Sequence, residues 1–420
     1  MDRVRCLSLR NDQNYEDLDR ISQLPDTPLL RILSNLSTRE AVGTSVLSKR
    51  WKNLWTDLPI LEFQWDIELS FTDLDCALKK VSFKNFVDTV LLHHRAPYLT
   101  SCRFAHLSEF DSAQTIAWFS ALSTRQIGEI IFDHCHIDVV GRFSAKRPFK
   151  LFMIESLSVL DLSSVFIHYP RNKVQFELPN LKTLYLYRVT CFNKDFFKKL
   201  VAGCHVLQEL SIVSCDFHSL EIHSLTLSRF IISKFAPMDS FILEAPNLTE
   251  LYLRSEDLLI AEVFRGVSKT NTLHLDYHDK PSELDCENMP WFHHLAHLQF
   301  VAYSELKLGF ILCMLHHCPS LQNLILHFDK DADKRDWMLP SCPPQCLLSS
   351  LKVFEFSAHD LCKSDVDILK YFLKNGMVLE EMRLNVLKMA SEKSREVLKK
   401  LLMPHRASSA CRVVFTQRWM

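Results

Sequence analysis

Glycine is scarce in this chain: 7 among 420 residues, at positions 43, 128, 141, 203, 266, 309 and 376. No two fall within a phosphate-loop spacing, so neither a Walker loop nor a dinucleotide-binding glycine fingerprint can be built. A Gly-x-Ser-x-Gly elbow is missing too, which removes the commonest serine-hydrolase geometry. Net charge is almost absent, with 49 Lys+Arg against 50 Asp+Glu. There is no global field to draw nucleic acid or an anionic membrane. Local pairs such as Lys198-Lys199 and Lys399-Lys400 read as solvated helix faces. Apolar runs such as Phe310 to Leu315 fall far short of the roughly 20 residues of a membrane span. Met1 to Arg5 leads into a polar stretch with no signal-peptide core. The expectation is a soluble protein of the cytoplasm, the nucleus or both, with its 14 cysteines as free thiols in that reducing setting.

Paired Cys-x-x-Cys motifs are also lacking. Cys313 to Cys318, with His316 and His317 between them, and Cys342 to Cys346 match no standard zinc module. The clusters His93-His94, His134-Cys135-His136 and His293-His294 read as surface or satisfied core histidines. The residues therefore assign no metal, no cofactor and no catalytic group, and the chain is expected to be a non-catalytic protein.

What is present is a repeat. Hydrophobic residues make up 47% and charged residues 24%, the composition of a folded chain. The pattern L-x-x-L-x-L, with apolar replacements, begins at Leu157, Leu181, Leu207, Ile222, Leu248, Leu295, Leu321, Leu351 and Leu379. Weaker copies begin at Leu99, Ile127 and Thr270. From 157 onward the steps are 24, 26, 15, 26, 22, 25, 26, 30 and 28 residues, mostly within or near the range of about 20–29 for leucine-rich repeats. Two apolar residues separated by one polar position make a short half-buried strand, and stacked copies accumulate a curved parallel sheet. Pro179-Asn180, Pro246-Asn247 and Pro319-Ser320 precede the first Leu of their copies. Asn193 is read as the cap of a return helix carrying Phe196, Phe197, Leu200 and Val201. Ser364 and Asp367 suggest a capping-box-like start to another helix, which Asn375-Gly376 ends. The 15-residue step at 207–222 is expected to be a tight loop.

Residues 21–55 read as three short helices. Thr27 with Pro28 reads as a helix start, and Thr38 as the cap of a second helix. Trp51, Leu54 and Trp55 lie on the third. So small a module with two Trp and no disulfide pair must bury apolar surface against something else.

Asp19 to Asp26, Leu30 to Ser34 and Glu40 to Trp51 closely resemble the F-box motif, in the form common in large plant-type families. Ser37 stands where that family usually has Pro, and Pro28 where most members lack it. Cys346 to Val353 with Leu379 to Met382 resembles the FBD segment of the same families. These resemblances imply an α/β architecture: a small three-helix F-box (16–62), a helical junction (63–98), a curved leucine-rich-repeat solenoid (99–339), and an FBD segment with terminal repeats and cap (340–420). The cap would include the helix at 365–374, a later one with Val397, Leu398, Leu401 and Leu402, and a last strand at Arg412 to Phe415. They also imply docking to a Skp-type adaptor, and through it to cullin and RING subunits of a ubiquitin ligase, by Leu24, Pro25, Leu29, Ile32, Leu33, Leu36, Leu47 and Trp51. Some of these, Leu47 and Trp51 especially, are alternatively core of the bundle. On the solenoid, outward positions of the strands are expected to hold a target protein, with Tyr185, Tyr187, Tyr252 and Arg254 as the residues to carry it. The alternatives are a hormone-type small-molecule sensor and a non-degradative scaffold.

Overall fold

In the computed structural model the described residues are 21, 24–65, 73–138, 150–168, 176–191, 195–217, 219–234, 240–255, 263–264, 266–267, 269–277, 289–302, 308–328, 342–359, 361, 363–386, 396, 398–400, 402 and 406–415. Among them, fourteen strands form one parallel sheet laid down in chain order. It runs from Ile60–Gln64 through Tyr98–Ala105, Gln126–Asp133, Val159–Ser163, Thr183–Tyr187, Glu209–Val213, Arg229–Lys234 and Glu250–Ser255. Thr272–Tyr277, His297–Ala302, Asn323–Phe328, Val353–Ala358, Glu381–Val386 and Arg412–Phe415 complete it. Alternate residues point into one elongated core. One inward row passes through Leu160, Leu184, Leu210, Phe230 and Leu251 in direct register. A second passes through Phe63, Phe104, Phe132 and Leu162, and both rows are essentially closed to solvent. Each such side chain contributes roughly 1.5–3 kcal/mol on burial.

Two expectations about the repeat change. The sheet starts at Ile60–Gln64, ahead of the earliest copy of the motif, and 63–98 is not wholly helical: the helix there is α3 (Asp73–His93). The copy beginning at Ile222 is out of register. Ser219–His223 belongs instead to a separate two-stranded sheet with Ser240–Glu244, and Leu225 is 74% exposed. The strand that continues the main sheet is Arg229–Lys234, led in by the buried Leu227, Phe230 and Ile232. The short step after Leu207 thus holds an extra strand where a return helix would stand. The helix Phe196–Ala202 buries Phe196, Phe197, Leu200 and Val201 as expected, but its cap position is Asp195, whose side chain makes no capping hydrogen bond and pairs with Lys199 at 3.9 Å. Asn193 lies outside the described residues, as do Val397 and Leu401, while Leu398 and Leu402 are buried. Ser364 sits inside the helix Lys363–Asn375 rather than ahead of it. The expected end at Asn375 holds. Gly376 has no positive φ; a Cβ there would meet the Phe372 carbonyl oxygen at 2.6 Å, so close approach is what requires glycine.

The cysteines are mostly thiols buried in the repeats. Ten described cysteines are outside any disulfide, but Cys313 is disulfide-bonded, against the expectation of thiols throughout. Burial pushes the Cys135, Cys204 and Cys346 thiols up to about 12, so none is a thiolate nucleophile near neutral pH. No helix among the described residues is long and apolar enough to cross a membrane.

The N-terminal module is joined to the sheet by polar contacts at a closed junction. The Glu62 N–H, on the first strand, donates to the buried Thr38 hydroxyl at 2.7 Å. Arg95 and Ala96 N–H groups donate to the Thr56 carbonyl. The buried His94 lies between Leu58 and Arg125. Arg125 Nη1 approaches His94 Nδ1 at 2.6 Å and can only donate, so His94 Nδ1 accepts and Nε2 donates to the Leu58 carbonyl at 2.8 Å. That is the neutral imidazole. Burial lowers the His94 pKa from its ordinary 6.5, the Arg125 charge lowers it further, and the Leu58 carbonyl and Asp57 act the other way.

A histidine whose folded pKa is depressed resists a proton that the unfolded chain accepts. Its contribution is therefore intact above the unfolded value of 6.5 and is lost as pH falls below it. The thermal midpoint should drop on acidification through that range. His94→Gln keeps one donor and one acceptor without the titration, and should show a smaller drop in parallel melts. Identical pH profiles for the two proteins would refute the assignment.

Candidate functional site

The N-terminal module combines a stapled core with an uncovered apolar surface. Helix α1 (Asp26–Leu33) starts after Pro25, which makes no side-chain cap, so Thr27 is not its cap. Arg50 reaches back instead, donating to the Leu24 carbonyl and pairing with Asp26 at 2.8 Å. Helix α2 (Thr38–Gly43) is capped by Ser37 and not by Thr38. The Ser37 hydroxyl accepts from the Glu40 N–H, and the Glu40 carboxylate accepts from the Ser37 N–H. The residue that departs from the usual family proline thus supplies a complete capping box. Those hydrogen bonds hold the Glu40 carboxyl below its usual range. Thr38 does other work in the junction with Glu62.

The eight residues read as the docking face divide by burial. Leu29, Leu33 and Trp51 are in the core with Leu54 and Trp55. Leu24 is half-buried against that core. Pro25 is exposed, and so are Ile32, Leu36 and Leu47, the last by 64%. Two further exposed apolar side chains were not picked out from the sequence, Ile21 and Val46, the latter 88% exposed. Val46 adjoins Leu47 in the single turn Thr44–Val46, a place where local apolar pattern says nothing about direction. Single exposed apolar residues are ordinary, but several in one short segment mark an interaction site.

On the sheet, the open face carries three outward rows. Tyr185, Ser211, Ile231 and Tyr252 are consecutive in the middle row, and Tyr187, Val213, Ser233 and Arg254 in the next. The four residues expected to hold a target therefore stand at the corners of a rectangle, two strands intervening. With strands about 4.8 Å apart, the corners face each other over about 14 Å. Between them lie only Ser211, Val213, Ile231 and Ser233, so the middle is a shallow trough with tall sides.

Its walls are braced. Tyr185 O–H donates to Glu209 at 3.2 Å, and burial, then the Glu209 charge, raises its pKa. Tyr252 stacks on His274, with centroids 4.0 Å apart and an interplanar angle of 7°. The Arg229 guanidinium lies 5.4 Å from the Tyr252 ring centre and pairs with Glu250 at 3.4 Å. Arg254 pairs with Asp276 at 3.4 Å. Burial lowers the pKa of His274, opposed by its hydrogen bond with Gln299. His274 is an outward position that the strand pattern itself indicates, whereas Arg229 lies on the strand that the pattern misplaces and is brought to Tyr252 only by strand register. A cleft of about 500 Å³ lies elsewhere, beside the two-stranded sheet, lined by His223, Leu243, Glu244, Gly266 and Lys269 among others.

Three family models match the chain in succession. The model described as F-box domain covers residues 21–63. The one described as FBD-associated F-box protein At5g56370, LRR repeats, covers 116–262, and FBD covers 339–384. Among similar proteins of Arabidopsis thaliana, a putative FBD-associated F-box protein is 29% identical over 94% of this chain and 100% of its own length. An F-box/FBD/LRR-repeat protein is 28% identical over 94% of this chain and 97% of its own. The chain carries F-box, leucine-rich-repeat and FBD segments in the order expected from its motifs.

Burial separates support from contact within the F-box. Leu33→Ala removes a fully buried side chain and should cost about 2–5 kcal/mol of stability. Leu47→Ala, on the exposed turn, should stay within about 0.5 kcal/mol of the parent. Denaturant unfolding of the two variants checks the division; equal losses would contradict it.

Proposed function

We propose that this chain is the target-recruiting subunit of a Skp–cullin–F-box ubiquitin ligase, docking a Skp-type adaptor through the exposed side of its F-box. The observation that carries the reading is the set of large apolar side chains left in solvent between Ile21 and Leu47 on a module whose own core is already filled. Pro25, Ile32, Leu36 and Leu47 make the contact, joined by Ile21 and Val46. Leu29, Leu33 and Trp51 hold the backbone beneath them, and Leu24 bridges the two groups.

The trough bounded by Tyr185, Tyr187, Tyr252 and Arg254 is the proposed seat of the target. An α-helix with its side chains is about 10–12 Å across, and an extended segment is narrower, so either fits between walls about 14 Å apart. Catalysis on this reading is proximity alone: the target is held at high effective concentration near the ubiquitin carrier. No residue of this chain enters the chemistry. Through the adaptor the chain would join cullin and RING subunits.

Adaptor binding by the full chain tests the reading. Ile32→Glu and Leu47→Glu should each weaken capture of a Skp-type adaptor at least about tenfold, or about 1.4 kcal/mol. Tyr252→Ala, remote from the F-box, should leave it unchanged. Undiminished binding by both glutamate variants, with folding intact, would sink the proposal.

A further inference from the structure

Outside both surfaces, one group of side chains has the chemistry of a ligand set. His106, Asp133 and His134 present ligand atoms that all lie within 4.8 Å of one another. Sequence proximity points elsewhere, to His134-Cys135-His136, whose cysteine is buried with its thiol pushed up to about 12. Strand register is what brings His106 to Asp133 and His134.

The two histidines occupy equivalent places, each just after a strand of the main sheet. Both have left-handed backbone, φ 60° and 51°. The His106 N–H donates to the Asp133 carbonyl, and the His134 N–H to the Ser163 carbonyl, each at 2.8 Å. The same backbone turn therefore starts both side chains, and their ring centres lie 5.0 Å apart. Ser164, Arg188 and Ser214 share the positive φ at later strands. The turn is a property of the fold; the pair of imidazoles on adjacent turns is particular to this point.

Asp133 is already aimed. Its Oδ2 accepts from Arg103 at 3.2 Å, and its Oδ1 faces His134 Nδ1 at 2.7 Å. A carboxylate anchored by one oxygen and offering the other is how outer partners orient a metal ligand. The local charge also suits a cation. At the outward positions of the first four strands, Arg103 stands against Glu62, Glu129, Asp133 and Asp161.

We propose that His106, Asp133 and His134 form a binding site for a borderline divalent cation of the zinc class. Two imidazoles and one carboxylate suit zinc, copper or nickel better than magnesium or calcium, which prefer all-oxygen sets. Bonds of about 2.0–2.2 Å to such ligands need Asp133 Oδ1 and His134 Nδ1 to give up their direct 2.7 Å contact so that both face the ion. His134, exposed on the surface, has room to make that move. Three protein ligands leave at least one coordination position open to water or to a donor atom from a bound partner.

The test uses the full chain carrying Cys342→Ser, which removes the one thiol exposed among the described residues, titrated with Co²⁺ and then Zn²⁺. One equivalent of Co²⁺ should give visible ligand-field bands without thiolate charge-transfer absorption, and Zn²⁺ should displace it. His106→Asn and His134→Asn, chosen because Asn tolerates left-handed backbone, should each weaken Co²⁺ uptake at least about tenfold. Uptake unchanged in the double variant, or no stoichiometric uptake by the parent, overturns the proposal. Should the variants fold poorly, the parent alone still decides. Zn²⁺, and not Mg²⁺, must shield His106 and His134 from carbethoxylation mapped by mass spectrometry, and equal modification with and without Zn²⁺ counts against the site.

Discussion

A parallel sheet that grows by one strand per repeat is held only by neighbour-to-neighbour contacts, so its weak points are its ends. Each end exposes unpaired backbone groups and an apolar layer. At the first end, the N–H of Glu62 finds the Thr38 hydroxyl, and Leu61 and Phe63 join one core with Leu29, Leu33 and Trp51. The F-box is thereby the lid of the solenoid. At the other end, Leu398 and Leu402 are buried, and Arg412–Phe415 adds a last strand in register with Glu381–Leu384. The same residues that close the sheet fix where the exposed apolar side chains of the F-box stand relative to the open face. Arg39 over the Phe86 ring and Arg125 on His94 and the Leu91 carbonyl add to that junction. On the proposed reading as a recruiting subunit, that junction matters because effective concentration collapses when the geometry joining two sites is wrong.

The left-handed turns show a second consequence of the repeat. Glycine is the usual residue at positive φ, yet His106, His134, Ser164, Arg188 and Ser214 occupy these positions. The first four direct their N–H to the last carbonyl of the next strand in the sheet, and Ser214 directs its own to Ser233, one residue before the end of Arg229–Lys234. A non-glycine residue in this conformation costs about 1–2 kcal/mol, offset here by a backbone hydrogen bond that glycine would also make. What glycine lacks is a side chain. The turns thus place histidine, serine and arginine along one line where strands end.

Much of this architecture was legible because apolar residues at every second position, repeated at a near-constant step, admit few arrangements. The copies led by Leu157, Leu181, Leu248, Leu295 and Leu321 all became strands of one sheet. The copy at Ile222 failed for a physical reason. Ile222, Leu225 and Leu227 satisfy the letter pattern, but a strand pointing Leu225 inward would have turned Phe230 and Ile232 out of the core they occupy. Ile60–Gln64 was missed because it follows the seven-residue 3₁₀ helix Trp51–Asp57, with no repeat before it to set the step. Within the F-box, pattern identified the apolar residues without their direction: Trp51 turned inward and Leu47 outward. The Arg229, Tyr252 and His274 stack, and the His106, Asp133 and His134 group, depend on register between strands some 20 to 30 residues apart. No local spacing encodes that.

The pairing on the open face bears on how a target would be held. Arg229 with Glu250, Arg254 with Asp276, and Arg383 with Glu355 are ion pairs between neighbouring strands. Such partly exposed pairs are worth roughly 0–1 kcal/mol each, so they contribute little to the sheet and are cheap to rearrange. A target that offered charge to these residues would exchange one weak pair for another, gaining orientation more than affinity. Net binding energy has to come from side chains that lose water without losing a partner. Tyr185, Tyr187 and Tyr252 fit that requirement: Tyr185 and Tyr187 stand beside the small floor residues Ser211 and Val213, Tyr252 stands beside Ile231, and stacking on His274 already restrains Tyr252. Restraint before binding reduces the ordering cost at contact. The aromatic walls of the trough are thus the part of the solenoid suited to provide affinity, and the charged rows on either side are suited to reject the wrong partner.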